Sequence, residues 1–279
     1  MSVDPLVSVV IPVFNGKTFI SPAIESVALQ TYPHIELVLV DGGSTDGSRE
    51  WVRDFSALPA IKDYLPPGSG AAANWTRCTE LASGQYVKLL CQDDILYPSA
   101  ISTQVADLIA HPQARIAFAK RDIINSAGRV LIKARGCQGL AEGLTSGVVA
   151  LRAGLRAGAN IYGEPEAVLF DRLAMQEALP WDDKEPFLLD MFFYSKILSK
   201  YPAVVNHSVV GAFRISSSSW STRLAKVQRR QFRSWQREAA ELIGNVSRSD
   251  LLVAWLNNEK TSMTRRVAYK WLGLRNELD

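Results

Sequence analysis

Short apolar segments, each followed at once by a polar or glycine-rich turn, constrain the fold of this 279-residue chain more than any other feature. They cover residues 6–14, 35–40 and 86–91, and a further strand is expected at 60–65. Apolar runs rich in β-branched residues are typical of strands that are buried on both faces of a parallel sheet. Helical patterns separate the segments, so the alternation predicts an α/β fold with a mostly parallel central sheet flanked by helices.

From about residue 116 the pattern is less regular. Strands are predicted at 116–119 and 130–133, and the glycine-rich segment 136–163 is expected to form a mobile loop with a short helix. A helix over 188–198 carries Asp190 among Phe, Met and Tyr residues. The pattern alone therefore places fewer elements in this half of the chain.

The C-terminal part predicts a strongly amphipathic helix, because apolar and basic side chains fall on opposite sides of the helical circumference. The apolar set is Leu224, Val227, Phe232, Trp235, Ala239 and Leu242, and the basic set is Arg223, Lys226, Arg229, Arg230, Arg233 and Arg237. Residues 214–279 hold 13 Lys and Arg against 6 Asp and Glu, a net charge of +7, which leaves −4 for residues 1–213. The asymmetry predicts a basic tail that meets an anionic surface.

Three kinds of partner are considered for this tail, and the prediction is peripheral association with the inner face of the cell membrane. A basic face opposite Leu, Phe and Trp side chains suits an interfacial helix on an anionic membrane. The same apolar stripe suits packing on the rest of the chain or on a second subunit equally well. Nucleic acid is not expected, because the basic residues lack interleaved stacking aromatics.

Composition and motifs exclude several classes of protein. No apolar run reaches the roughly 18 residues of a membrane span, and the N-terminus lacks the basic region of a secretory signal, so we expect a cytoplasmic protein. The three cysteines and three histidines are scattered, which argues against a zinc site. There is no P-loop motif, and residues 68–73 match the dinucleotide fingerprint only formally, because they follow two prolines and not a strand.

Polar residues follow three successive predicted strands: residues 12–15, 41–44 and 92–94. Ligands bind to open parallel sheets at the carboxyl ends of the strands. Two of these turns bring carboxylates, and carboxylates beside a diphosphate suit Mg²⁺ or Mn²⁺. Asp93 and Asp94 are therefore candidates for a metal site, although Asp94 is also placed to cap the following helix.

Four segments, in this order, resemble the family 2 inverting glycosyltransferases of the GT-A fold over roughly residues 6–215. VSVVIPVFN at 7–15 is similar to the first strand of the family, and VDGGSTDGS at 40–48 is similar to its nucleotide loop. Residues 74–87 lead into LCQDD at 90–94, a DxD-type region, and Asp190 follows Leu189 where the family has an acidic pair with the catalytic base. The resemblance implies a Rossmann-like GT-A domain over 1–215 and a C-terminal helical extension over 216–279.

The same resemblance implies roles for individual residues. Asp190 would be the catalytic base, Asp93 would bind Mg²⁺ or Mn²⁺, and Asp41 would contact the nucleobase or ribose. Apart from the resemblance, Glu164 in the sequence YGEP is a candidate to help hold the acceptor, and a surface-loop role is at least as open. The full set expected to bind the nucleotide sugar is Pro12, Val13, Asn15, Asp41, Gly43, Asn74, Gln92, Asp93 and Arg214.

Departures from the family pattern are present at three positions. Cys91 replaces the first carboxylate of the DxD, so metal binding would depend on Asp93 together with the diphosphate. Gly42 replaces a frequent second acid of the nucleotide loop, which leaves the base identity open. Ser216 stands where the family has a histidine after Arg214, and the arginine would still face phosphate.

The function implied is inverting transfer of a sugar from a nucleoside-diphosphate sugar to a hydroxyl of a glycan or lipid-linked acceptor in surface polysaccharide biosynthesis. A nucleotidyltransferase that makes a nucleotide sugar is the enzymatic alternative, and a non-catalytic sugar-nucleotide-binding module is the other. Asp190 has competing interpretations as a partner of Lys196 or as a solvated helix residue, and Asp182 and Asp183 are alternative bases.

Overall fold

A computed structural model describes residues 4–217, 222, 224 and 227–274 of this protein, with the backbone alone at 266, 269–272 and 274. Its centre is a ten-stranded mixed sheet in the order β3-β2-β1-β4-β9-β6-β10-β5, with β7 paired to β6 and β8 to β10. The strands are β1 Val7–Val13, β2 Ile35–Asp41, β3 Ala60–Tyr64, β4 Tyr86–Leu89, β5 Ile95–Leu96, β6 Ile116–Ile124, β7 Val130–Arg135, β8 Gly143–Thr145, β9 Val168–Asp171 and β10 Ala203–Arg214.

The first four strands in the spatial order are parallel, and so is the pair of β6 and β10. Helices connect and flank these strands, which confirms the predicted α/β class. They are α1 Ile20–Ala28, α2 Ser48–Asp54, α3 Gly70–Glu80, α4 Ala100–Ala110, α5 Gly147–Ala157, α6 Arg172–Ala178, α7 Leu189–Leu198, α8 Gln228–Ile243 and α9 Arg248–Leu274.

Both faces of the sheet are covered, which is why the central strands are apolar at every position. All seven residues of β1 are buried. Side chains alternate between the two faces of a strand, so Val10 and Val38 enter one core cluster while Val9 and Leu37 enter the other. The continuous apolar runs in the sequence thus reflect a sheet with a core on each side.

The structure extends two of the predicted elements. Strand β6 continues through Lys120, Arg121 and Asp122 to Ile124, five residues beyond the predicted end. The segment 136–163 contains β8 and the eleven-residue helix α5, whose Leu151 and Leu155 side chains are fully buried. Only part of this segment is loop.

The apolar stripe of the tail packs on the body of the protein. Phe232, Trp235 and Ala239 of α8 are buried in the same core cluster as the central strands. The indole N–H of Trp235 donates to the carbonyl oxygen of Met191 at 3.2 Å and to Ser195 Oγ at 2.9 Å, both in α7. These three side chains are therefore not available to a membrane, and the alternative of packing on protein applies to them, whereas Leu242 of the same predicted stripe is exposed.

Other statements about the tail stay predictions. Arg223 and Lys226, of the predicted basic face, lie outside the described residues. The domain boundary at 215 is not tested by the packing of α8, because a boundary in sequence can precede a helix that docks on the domain. Among the described helices, none combines the length and apolar character that crossing a bilayer requires.

Candidate active site

A cavity of about 1150 Å³ opens at the carboxyl ends of β1 and β4. It brings together residues that are far apart in sequence, because the loops after several strands and the start of α7 meet there. The sequence-predicted residues in its wall are Pro12, Asn15, Asn74, Gln92, Asp93, Glu164 and Asp190. Val13, Asp41, Gly43 and Arg214 are not in the wall, although Gly42 is.

Hydrogen bonds between side chains and backbone tie the loops after β1, β2 and β4 together. The amide of Gln92 accepts from the Phe14 N–H and donates to the Phe14 carbonyl oxygen, each at 2.8 Å. Asn15, which has a left-handed φ of 49°, donates its backbone N–H to Ser44 Oγ and accepts from the Thr45 N–H. One end of the cavity is therefore a rigid set of backbone loops.

Asp41 lies beneath this end of the cavity and organises the loop after β2. Its carboxylate is fully buried and accepts hydrogen bonds from the backbone N–H groups of Gly43 and Ser44. Arg49 Nη1 lies 3.3 Å from the same carboxylate. A contact of Asp41 with a nucleotide stays a prediction, and the structure gives this residue a loop-shaping role in addition.

Arg214 supports the turn that carries Asp93 and Asp94. Its guanidinium donates to the Asp93 carbonyl oxygen at 2.8 Å and to the carbonyl oxygens of Asn125 and Ser126. Its backbone N–H donates to Asp94 Oδ1 at 2.9 Å. The alternative role of Asp94 as a helix cap is wrong, because α4 begins after Ser99 and the Asp94 carboxyl is buried against Arg214.

Asp190 is a buried carboxylate in the first turn of α7 and lies in the cavity wall. Its Oδ1 accepts from the Met191 N–H at 2.7 Å, and its Oδ2 accepts from Asn160 Nδ2 at 2.9 Å. Burial and the nearby Glu164 raise the pKa of Asp190 to about 7, while Arg121 opposes the rise. A carboxylate with this pKa is suited to accept a proton near neutral pH.

The competing interpretations of Asp190 are wrong. Lys196 donates instead to the carbonyl oxygens of Ala178 and Pro180, and the Asp190 side chain is buried, not solvated. Asp182 and Asp183 are exposed residues outside the cavity wall. Among these three acids, only Asp190 faces the cavity.

The N-terminal half of the chain matches a family of known proteins. Residues 8–143 match the model of the family described as Glycosyl transferase family 2. We call residues 8–143 the family 2 segment, because they are similar to that family. This segment includes Asp41 and Asp93, whereas Asp190, Asn160 and Glu164 lie beyond its end.

Curated relatives are similar over the same part of the chain. A putative teichuronic acid biosynthesis glycosyltransferase, TuaG of Bacillus subtilis, is 38% identical over 92 residues, which are 32% of this chain and 36% of that protein. Glycosyltransferase GlyA of Streptococcus pneumoniae is 31% identical over 118 residues, 42% of this chain and 17% of the relative. The chain thus spans little more than a third of the length of TuaG and less than a fifth of GlyA.

Solved structures are similar over most of the chain. TarS 1–349 of S. aureus superposes with a TM-score of 0.66 and 17% identity, covering 92% of this chain and 72% of that one. The mannosyltransferase PcManGT of Pyrobaculum calidifontis, solved with GDP-Man and Mn²⁺, gives 0.58 and 18% identity over 96% of this chain and 76% of the other. These similarities confirm the GT-A-like α/β fold with C-terminal helices.

Beyond the family 2 segment, Glu164 forms an ion pair with Arg121 inside the cavity. Arg121 is a buried residue of β6 and also lies 4.0 Å from Glu166, whose pKa burial raises to about 8. Glu164 is thus a cavity residue, which supports its predicted contact with an acceptor over a surface-loop role. The contact itself stays a prediction.

Sequence reasoning missed several residues of the cavity wall. Arg121 has a signal that could have found it, because it stands in an apolar strand where an unpaired charge would be costly. No such sequence signal marks Asn160, since it lies in a glycine-rich segment with no periodicity. Phe187 and the α9 residues Thr264 and Arg265 also line the cavity, so the tail reaches the site.

The residues present fit a divalent cation in one respect. Asp93 lies in the cavity wall, where burial raises the pKa of its carboxyl and the nearby Arg214 guanidinium opposes the rise. No group of three or more His, Cys, Asp or Glu side chains in the described part of the chain is placed to hold a metal. A cation here would depend on Asp93 and on ligand oxygens, as Mg²⁺ sites with substrate phosphates do.

Proposed function

We propose that this chain is an inverting glycosyltransferase that moves a sugar from a nucleoside-diphosphate sugar to a hydroxyl of a glycan or lipid-linked acceptor. The observation that carries the proposal is that Asp93 and Asp190 line one cavity, whose wall also contains loop residues of the family 2 segment. Asp93 is the side chain suited to the diphosphate end, and Asp190 is the base suited to the acceptor end.

The chemistry is a single displacement. The acceptor oxygen attacks the anomeric carbon, the bond to the diphosphate oxygen breaks, and Asp190 takes the hydroxyl proton. An alcohol is a weak nucleophile at neutral pH, so a positioned base contributes about 10²–10⁴-fold to the rate. Burial keeps the pKa of Asp190 near 7, which lets it accept the proton and release it to solvent afterwards.

Asp93 would hold Mg²⁺ or Mn²⁺, which when bound neutralises the charge that develops on the leaving diphosphate. The neighbouring Cys91 is a poor substitute for a carboxylate ligand, because burial, Asp94 and Asp93 raise the pKa of its thiol well above the usual range. One protein carboxylate, with the donor's own oxygens, would then complete the site.

The relatives support the donor and acceptor classes. TarS 1–349 has been solved with UDP and with UDP-GlcNAc, and PcManGT with GDP-Man, which supports a nucleotide-sugar donor. The teichuronic acid assignment of TuaG supports a role in surface polysaccharide biosynthesis. We propose that this activity is cytoplasmic.

The test is a screen of nucleotide sugars for donor-induced thermal stabilisation and for Mn²⁺-dependent release of nucleoside diphosphate. Asp190→Asn is expected to reduce turnover about 10²–10⁴-fold and to retain donor-induced stabilisation. Asp93→Asn is expected to abolish the dependence on Mn²⁺, whereas the matched variant Cys91→Ser retains it.

Three outcomes would contradict the proposal. Release of pyrophosphate with formation of a nucleotide sugar would identify a nucleotidyltransferase. Donor binding without turnover would identify a binding module. Parental turnover in both Asp190→Asn and Asp93→Asn would remove the assigned roles.

We also propose peripheral association with an anionic membrane through α9 in place of α8. One face of α9 exposes apolar side chains, and Arg248 and Lys260 lie on or beside it. The exposed apolar residues are Leu251, Leu252, Trp255, Leu256, Met263 and Val267. An apolar face with adjacent cations is suited to the boundary of an anionic bilayer.

Flotation with vesicles containing phosphatidylglycerol tests this proposal. The double variant Leu252→Glu/Trp255→Glu is expected to lose most of the bound fraction. Leu173→Glu, at an equally exposed leucine of α6, is the control and is expected to bind like the parent. Absence of binding by the parent, or equal losses in both variants, would contradict a membrane contact through α9.

A further inference from the structure

Asn160 forms four hydrogen bonds in the buried wall behind the cavity. Its Oδ1 accepts from the backbone N–H groups of Tyr162 and Gly163, both at 3.1 Å. Its Nδ2 donates to the Gly163 carbonyl oxygen at 3.1 Å and to Asp190 Oδ2 at 2.9 Å. Both amide hydrogens and the amide oxygen are therefore used.

These partners determine which way the amide group points. In the reversed orientation, the amide oxygen would face the Gly163 carbonyl oxygen and the Asp190 carboxylate, and the NH₂ group would face two N–H donors. Each of the four contacts would become repulsive. The backbone of residues 162 and 163 thus obliges Asn160 to present a donor to Asp190.

The turn that holds Asn160 is itself held on two sides. Gly163 has a φ of 105°, and a Cβ at that position would lie 2.5 Å from Ala167 Cβ, so the chain passes closely over the following helical turn. On the other side, the Cys137 N–H donates to the Ile161 carbonyl oxygen. The donor that faces Asp190 therefore belongs to a well-supported piece of backbone.

The Asp190 carboxylate is bound at both oxygens, which fixes its rotation. The Met191 N–H occupies one site of Oδ1 and Asn160 occupies one site of Oδ2. An ionised carboxylate has about four acceptor sites, so others remain for the proton of an acceptor hydroxyl. Without Asn160, only the bond to the neighbouring backbone N–H would orient the group.

We propose that Asn160 is the positioning residue of Asp190, whose amide holds one carboxylate oxygen of the base in the orientation that receives the acceptor proton. The inference rests on the proposed function, since it assigns a partner to the proposed base. Asn160 reaches the reaction only through Asp190. The charged groups that act on Asp190 from other elements are Glu164 and Arg121, and Asp190 in turn acts on Cys91 and Tyr194.

Two variants at 160 test the proposal through the pH dependence of turnover. Asn160→Ala removes the donor, and Asn160→Asp places a second carboxyl group against Asp190. Both are expected to reduce kcat roughly 10- to 100-fold with donor KM unchanged within about twofold. The acidic limb of the kcat profile is expected to move up by about one pH unit in Asn160→Asp, because two adjacent carboxylates cannot both ionise freely.

Asn206→Asp is the matched control. Asn206 also donates to a carboxylate, that of Asp107, at 2.9 and 3.1 Å and also accepts a backbone N–H through its Oδ1, but it lies outside the cavity wall. A structural effect of placing two carboxyl groups together would appear as a lower melting temperature in Asn160→Asp and in Asn206→Asp alike. A change of the pH profile is expected only at 160.

A second measurement does not need turnover. Carbon-13 NMR titration of the carboxyl groups, with Asp190→Asn for assignment, is expected to show a higher pKa of Asp190 in Asn160→Ala than in the parent. The proposal is overturned if this pKa and the pH profile stay parental, or if neither variant folds, since Asn160 would then be scaffold only. Failure of the proposed function has a different signature: a parent without turnover whose Asp190 pKa still responds to Asn160.

Discussion

The acid–base chemistry of three side chains depends on burial more than on residue type. Asp190 and Glu166 are carboxyls whose pKa burial raises to about 7 and about 8, and Lys88 is an amine whose pKa burial lowers to about 7. Each shift has the sign expected when a charged form loses water. Of these three groups, Asp190 is the one that lines the cavity, so burial gives the site a carboxyl suited to proton transfer near neutral pH.

The free energy of unfolding is expected to depend on pH because the pKa of Asp190 is raised. A carboxyl with a folded-state pKa near 7 and an unfolded value near 3.9 stabilises the fold fully below pH 4, and this contribution is lost as the pH rises to 7. The stability of Asp190→Asn relative to the parent is therefore expected to increase by roughly 2–4 kcal/mol from pH 4 to pH 8. Urea unfolding at both pH values measures it, and a constant difference would contradict a buried, destabilised carboxylate.

The residues that the sequence assigned to the site differ in where the structure places them. Asp93 and Asp190 could be proposed from motif order alone, and both lie in the cavity wall. Gln92 also lies in the wall and Arg214 does not, and the polar groups of both are hydrogen-bonded to the backbone of neighbouring loops. Their contacts with a ligand stay predictions. The hydrogen-bond partner of a side chain at a strand end depends on where other loops lie, which no local pattern contains.

At the scale of elements, the close contact of α5 with α8 secures the helix that carries Asp190. Gly154 of α5 allows this approach, because a Cβ there would lie 2.3 Å from Tyr162 Oη and 2.9 Å from the Trp235 ring. Trp235 in turn donates to α7. The base helix is therefore supported by an element from the far end of the chain.

Gly154→Ala is expected to lower the free energy of unfolding by about 1–3 kcal/mol, because the added methyl group overpacks this contact. The matched control is Gly273→Ala in α9, where no atom of the described residues lies within 4 Å of a Cβ. This control should be neutral or stabilising by up to about 1 kcal/mol through helix propensity. Chemical denaturation compares the two, and equal effects would mean that α5 and α8 do not pack as closely as described.

Elements with uniform periodicity were predicted well, and elements with mixed composition were not. Strands β1, β2 and β4 were found because both of their faces are buried. Strand β6 was predicted too short, because Lys120, Arg121 and Asp122 interrupt its apolar run. Arg121 is nevertheless buried there, since Glu164, 43 residues further along the chain, compensates its charge.

For the whole molecule, the tail is part of the core and part of the cavity. Phe232, Trp235 and Ala239 lie in the core cluster that includes the central strands. Thr264 and Arg265 of α9 line the cavity, and the Arg265 guanidinium lies 5.6 Å from the Phe187 ring and 5.2 Å from the Phe232 ring. Removal of the tail would thus expose apolar surface next to the site.

Two tryptophans of the tail differ in burial, and substitutions at them test whether the tail is packed on the body of the protein. Trp235 is fully buried and Trp255 is 50% exposed. Trp235→Ala is expected to lower the free energy of unfolding by about 3–5 kcal/mol, as a large cavity in a core does. Trp255→Ala is expected to stay within about 0.5 kcal/mol of the parent. Thermal unfolding tests this, and a mild effect at Trp235 would indicate a tail that unfolds independently of the body.

The sequence by itself determined the α/β class, the strand ends that approach the ligand site, and the acids able to act there. These features depend on short stretches of sequence, because continuous apolar runs mark strands buried on both faces and polar turn residues follow them directly. Only the tertiary structure decided which acids share a cavity, that Asn160 faces Asp190, and that the amphipathic stripe of α8 packs inward. Those outcomes depend on contacts between residues 30 or more positions apart, and the free energy of such contacts is set by the packing of the whole chain.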